Sequence, residues 1–143
     1  MADKLIRIGR VSRIEMETGL VSVTYPDLDD SVSSPLTVIS FNDETKLPRI
    51  GEEVVTIHYP TGQARGFVLG HYWNKTNKPK KYSEKIYRKE FGHDPGNAWA
   101  EYNDDARQLV IHADEIKFEN NTGSITLTEL IQLKNRVAAL ENS

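Results

Sequence analysis

Residues 98–127 constrain the chain more than any other stretch. Ala98-Trp99-Ala100-Glu101-Tyr102, Gln108-Leu109-Val110-Ile111-His112, Glu115-Ile116-Lys117-Phe118-Glu119 and Ser124-Ile125-Thr126-Leu127 follow one another, each short and mostly strand-forming. Most alternate a large apolar residue with a polar one, the period of two that marks a half-buried strand. Turn-formers separate them: Asn103-Asp104-Asp105, Ala113-Asp114 and Asn120-Asn121-Thr122-Gly123. Strands this short give one thin apolar face, and such a layer needs a second layer against it. A lone domain below roughly 40 residues generally needs disulfides, a metal or oligomerisation. The chain contains no cysteine. Identical copies are therefore expected to supply the missing layer, making this half of the chain an intertwined β-prism.

A length of 143 residues holds one ordinary domain, or a small domain with an extension. The formal charge of −3 argues against a dedicated nucleic-acid binder, which carries a basic surplus. Absence of cysteine excludes a disulfide framework and a thiolate metal site, and fits synthesis in a reducing cytoplasm. Met1-Ala2-Asp3-Lys4-Leu5 lacks the apolar core of a signal peptide. No run of about 18 apolar residues is present, so a soluble protein is expected.

Residues 4–16 read as a strand, with Ile6, Ile8 and Val11 flanked by Arg7, Arg10 and Arg13, and with Gly9 as a bulge or corner. Gly19 turns the chain into Val21-Ser22-Val23-Thr24-Tyr25, whose alternation is clean. Residues 26–35 are polar and read as a loop. Leu36-Thr37-Val38-Ile39-Ser40-Phe41, Val54-Val55-Thr56-Ile57-His58-Tyr59 and Arg65-Gly66-Phe67-Val68-Leu69-Gly70 complete five strands, the last two joined by a turn at Pro60-Thr61-Gly62. Five strands with corner glycines suggest a small closed barrel of the OB type, which removes exposed edges.

Pro48-Arg49-Ile50-Gly51-Glu52-Glu53-Val54, then Gly62, then Gly66-Phe67-Val68-Leu69-Gly70-His71-Tyr72-Trp73-Asn74 resembles the OB domain of contractile-tail spike proteins. That group comprises the phage baseplate assembly protein V family and the related valine-glycine repeat spikes of type VI secretion. Gly9-Arg10-Val11 with residues 19–27 looks like the first hairpin of the same domain. The resemblance covers most of residues 5–75. It implies a homotrimer whose barrels sit around a threefold axis, attached to a baseplate hub and continued into a triple-stranded β-helix.

Residues 75–85 are polar and basic and read as a linker after an OB domain at 1–74. A spike would occupy 86–127, with Ile86, Phe91, Trp99, Tyr102, Leu109, Ile111, Ile116, Phe118, Ile125 and Leu127 as its trimer core. Each fully buried large apolar side chain contributes about 1.5–3 kcal/mol. Thr126 with Glu129 fits a capping box, opening a C-terminal helix at 128–143. Leu130, Leu133, Val137 and Leu140 form an a/d seam. An isolated helix this short is marginal in water, so a short three-helix coiled coil of symmetry copies is expected.

The chemistry is sparse. His58, His71, His93 and His112 show no His-x-His or His-x-x-x-His spacing. Spikes of the resembled family often end in a His-x-His point that holds iron on the axis. This chain departs from that pattern, so no cofactor is expected, with an ion on the axis between three copies of His93 or His112 left as the alternative. Asp29-Asp30 and Asp104-Asp105 are turn pairs rather than a facing acid and base, and no nucleophile elbow or phosphate loop occurs. The expectation is a non-enzymatic, mainly β protein with an OB barrel, trimeric β-helix and helical end. Its role would be a homotrimeric spike that caps the hub, joins the tail tube and baseplate, and pierces a target cell envelope. It would sit in a virion or tailocin particle, with a separate tip protein left open. The competing class is an OB-fold module for single-stranded nucleic acid or a partner subunit, with Tyr59, Phe67, Tyr72 and Trp73 as stacking platforms. Arg7, Arg10 and Arg13 have the spacing of a phosphate-tracking strand, but Glu15, Glu17, Asp27, Asp29 and Asp30 lie close by in sequence and oppose that use.

Overall fold

The computed structural model describes residues 5–60, 65–81 and 83–143. Lys4, Thr61 and Gly62, which the sequence places in a strand and a turn, lie outside them. Two compact units result, Met1–Lys78 and Pro79–Ser143, divided inside the stretch that reads as a linker.

In the first unit β1 (Ile6–Ile14), β2 (Val21–Tyr25), β3 (Ser31–Val32), β4 (Thr37–Val38), β5 (Glu53–His58) and β6 (Gly66–His71) form one sheet. Its order is β3-β2-β1-β5-β6-β4. Neighbours are antiparallel except β4, which runs parallel to β6. This corrects the expected closed five-stranded OB barrel: the sheet is a half-barrel of six strands, with an isolated bridge between Val21 and Leu36. Two local causes account for the difference. Asn42 and Asp43 take left-handed φ of 59° and 56°, and residues 36–41 give only the Leu36 bridge and the short β4 rather than a full strand. Asp29 and Asp30 are left-handed as well, at 52° and 57°, and they bend the supposed loop back until Ser31 meets Tyr25.

Val11, Val21, Val23, Tyr25, Leu36, Val54 and Val68 form the core of this unit. Gly9 is not a bulge. It pairs regularly with Val54, and the β1–β2 irregularity falls between Val11 and Arg13. Glycine is required there because a Cβ would stand 2.4 Å from Val23 Cγ1 and 2.6 Å from the Thr24 carbonyl oxygen.

In the second unit β7 (Ile86–Glu90), β8 (Trp99–Asn103) and β9 (Gln108–His112) make a three-stranded antiparallel meander. A separate hairpin, β10 (Lys117–Asn120) and β11 (Gly123–Thr126), leads into α1 (Leu127–Glu141). The expected trimeric β-helix and three-helix coiled coil are thereby overturned: the described residues form a meander, a hairpin and one helix. Short turns set the β8–β9 and β10–β11 pairings. Asn103 Oδ1 accepts from the amides of Asp105 and Ala106 at 2.9 and 3.0 Å, and Asn120 Oδ1 does the same for Thr122 and Gly123 at 2.8 and 3.1 Å. These side-chain turns close the hairpins locally.

The start of α1 is well capped. Leu127 N–H reaches the Ile116 carbonyl at 2.7 Å, Thr128 N–H the Glu115 carboxylate at 3.2 Å, and Glu129 N–H the Thr126 hydroxyl at 3.1 Å. Three of the four orphan donors of a helix N-terminus are thus satisfied. Thr126 is the N-cap, as the sequence predicts.

Candidate assembly surfaces

Register decides which side chains share a face of the β7–β8–β9 sheet. Ile86, Arg88 and Glu90 lie opposite Asn103, Glu101 and Trp99, and Glu101 and Trp99 lie opposite Val110 and His112. This face is ionic at its centre. The Arg88 guanidinium donates to Glu90 at 2.9 and 3.2 Å and to Glu101 at 3.0 Å. Lys81 Nζ donates to Glu101 at 2.9 Å, and the Gly96 amide to Glu90 at 2.6 Å. Arg88 also lies 4.2 Å over the Trp99 ring, which stacks on His112. Lys81 first, and then Arg88, hold the Glu101 carboxyl below its ordinary range. Two cations and two carboxylates balance, and the side chains of Arg88, Glu90 and Glu101 stay about one-tenth exposed.

The opposite face is the reverse. Tyr87, Tyr102 and Leu109 face one another across the strands, as do Lys89, Ala100 and Ile111. Tyr87 is 73 % exposed, Leu109 61 % and Ile111 52 %; Tyr102 and Phe91 are also exposed. This sheet therefore satisfies its polar face internally and leaves its apolar face bare, against the usual order of a folded layer.

The ten residues assigned to one trimer core do not share a single face. Ile86 and Trp99 lie on the ionic face, and Tyr102, Leu109 and Ile111 on the bare one. Phe118 pairs with Ile125 on the β10–β11 hairpin, where Phe118 is 55 % exposed. Ile116 and Leu127 meet through the backbone at the helix start, and Phe91 does so with Ala98. On α1, Leu130, Leu133, Val137 and Leu140 are all exposed. The sequence missed Tyr87, whose alternation with Ile86 and Arg88 is the signal that places it on the bare face.

In the first unit the resemblance motif gathers at one corner. Glu53 accepts from Tyr72 Oη at 3.0 Å and Asn74 Nδ2 at 3.4 Å, and it pairs with Arg10 at 3.8 Å. Its hydrogen bond raises the Tyr72 hydroxyl above its ordinary range. Glu52 meets His71 at 3.2 Å and accepts from the Arg49 amide at 2.8 Å. His71 and Trp73 meet edge to face. Arg7 is buried, with Nη1 3.2 Å from Asp27 Oδ2. The arginine row of β1 is thus partly spent on internal pairs rather than presented as a phosphate track.

Inside the half-barrel, Tyr25 Oη lies 2.6 Å from His58 Nε2 and 2.9 Å from Thr56 Oγ1. Burial pushes the Tyr25 hydroxyl up. Among the described residues no group of three or more His, Asp or Glu gathers to hold a metal, and no helix is long and apolar enough to cross a membrane. No family model matches the chain, and no curated protein is similar to it.

Proposed function

We propose that this chain is a structural, non-enzymatic subunit that works as a homotrimer, the central spike of a contractile-tail baseplate. The bare apolar face of the β7–β8–β9 sheet carries this reading. The centre of its back is already filled by ion pairs, so its front offers the larger apolar area, and burying apolar area yields about 25 cal/mol per Å². Tyr87, Tyr102, Leu109 and Ile111 of one copy would pack against neighbouring copies. The reading also draws on the likeness of residues 48–54 and 66–74 to baseplate assembly protein V, two stretches whose Glu53, Tyr72 and Asn74 meet in this chain. In that role the trimer caps the hub, meets tail-tube and baseplate components, and is driven into the target envelope on contraction, within a virion or tailocin. No cofactor is required for mechanical work of this kind.

Light scattering on the full chain tests the proposal. A mass of three chains, with no salt-dependent affinity for single-stranded oligonucleotides, agrees with it. A monomer, or tight oligonucleotide binding, rejects it and favours a nucleic-acid-binding module.

A further inference from the structure

The basic stretch at residues 74–81 is tied down at both ends. At its start, Asn74 Oδ1 accepts from the Thr76 and Asn77 amides at 2.9 and 2.7 Å, and the Asn74 amide donates to the Asn77 carbonyl at 2.9 Å. Asn74 Nδ2 donates to Glu53 at 3.4 Å, which seats this turn on β5. At its end, the Lys80 side chain lies along Gly96, where an added Cβ would stand 3.2 Å from Lys80 Cε. Lys81 Nζ donates to Glu101 Oε2 at 2.9 Å, and Lys85 adds a pair with Asp105 at 3.0 Å. Between these anchors neither Lys78 nor Pro79 makes a hydrogen bond or ion pair with another described residue.

We infer that Lys80 and Lys81 form a strap clamped to the β7–β8 sheet by Glu101, and that the flexible joint of the chain narrows to Lys78 and Pro79. An exposed ion pair holds little by itself. Glu101, however, is only 8 % exposed, and its two oxygens are divided: Oε1 takes Arg88 Nη1 and Oε2 takes Lys81. Among the described residues Oε2 has no other partner. Releasing Lys81 therefore strands a protected carboxylate oxygen, which costs more than an exposed pair returns. The chain freedom that opposes the clamp is already reduced. Pro79 fixes its own φ and holds Lys78 to extended backbone. The inference goes beyond the role proposed above and does not depend on it, since every contact lies within one chain.

Backbone amide relaxation by NMR on the full chain, in whatever oligomer it forms, reads the joint residue by residue. The amides of Thr76, Asn77, Lys80 and Lys81 are expected to show order parameters of about 0.85, as in the strands, with the minimum at Lys78. Lys81→Met removes an ammonium whose side chain is 48 % exposed and leaves the Arg88–Glu101 pair in place. In that variant the amides at 80 and 81 should fall below about 0.6, while those at 76 and 77 and the shifts of the meander stay as they were. Asn74→Ala should do the reverse, loosening 76 and 77 alone. Parent amides at 80 and 81 as mobile as a free tether overturn the inference. So does a Lys81→Met chain in which both remain ordered.

Discussion

At the scale of single residues, two positions hold the half-barrel through effects that hydrophobicity alone does not report. Gly9 lets β1 lie close against β2, since an added Cβ would meet Val23, the Thr24 carbonyl and the Tyr25 ring. Two of these are packed side chains and one is backbone, so none yields cheaply. Gly9→Ala is expected to cost about 1–3 kcal/mol, the usual range for overpacking, read as a lower denaturant midpoint with unchanged slope. Tyr25 is the second position. Its hydroxyl is the shared partner of Thr56 and His58, and His58 Nδ1 already lacks a hydrogen-bond partner. Tyr25→Phe would strand more buried polar atoms, at about 1–3 kcal/mol. Equal stability of that variant in urea would show that the cluster contributes nothing net.

Among the elements, α1 depends on its capping because its apolar side chains are exposed, which leaves little packing to hold it. Thr126→Ala should cost about 1 kcal/mol and speed amide exchange at Glu129, the donor that it frees. Glu115 adds a pH dependence. Hydrogen bonding from Thr128 foremost, then from the backbone of Ile116 and Leu127, holds its carboxyl below the ordinary range against burial. A depressed carboxyl stabilises the fold above its unfolded pKa, and this is lost as pH falls through the lower folded value. Amide exchange at Thr128 should therefore rise on acidification, and Glu115→Gln should flatten the response.

The same elements mark how far the sequence could be read. The N-cap, the strands 21–25, 54–59 and 65–70, and the turns at 103–105 and 120–123 were legible because local chemistry sets them. Closure of the barrel was not, since it hangs on left-handed Asp and Asn residues at 29, 30, 42 and 43 that composition marks only as polar. Which apolar residues share a face was also hidden. Ile6 and Ile8 look like partners of Val11, but two-residue parity puts them on the opposite side of β1. Ile86 and Trp99 look like core, yet register sets them beside Arg88 and Glu101.

For the whole molecule, the decisive property is that each unit keeps one apolar sheet face uncovered while burying charge elsewhere. In the second unit Arg88, Glu90 and Glu101 occupy the protected side. Truncating one of them would leave charge unpaired, whereas changing the bare face should leave the isolated chain intact. This asymmetry separates folding from assembly. Ile111→Lys places an ammonium on the bare face, in one row with Lys89 across Ala100, so two cations would be desolvated if copies still met there. The expected result is a monomer by light scattering with unit melting of the meander little changed, because Ile111 is already 52 % exposed. Arg88→Met should act the other way, loosening the meander itself and lowering its melting temperature even at concentrations where the parent is dispersed. If Ile111→Lys kept the parent mass, the front of the meander would not be the contact between copies. Removing residues from Lys80 onward would then show whether the half-barrel alone accounts for the association.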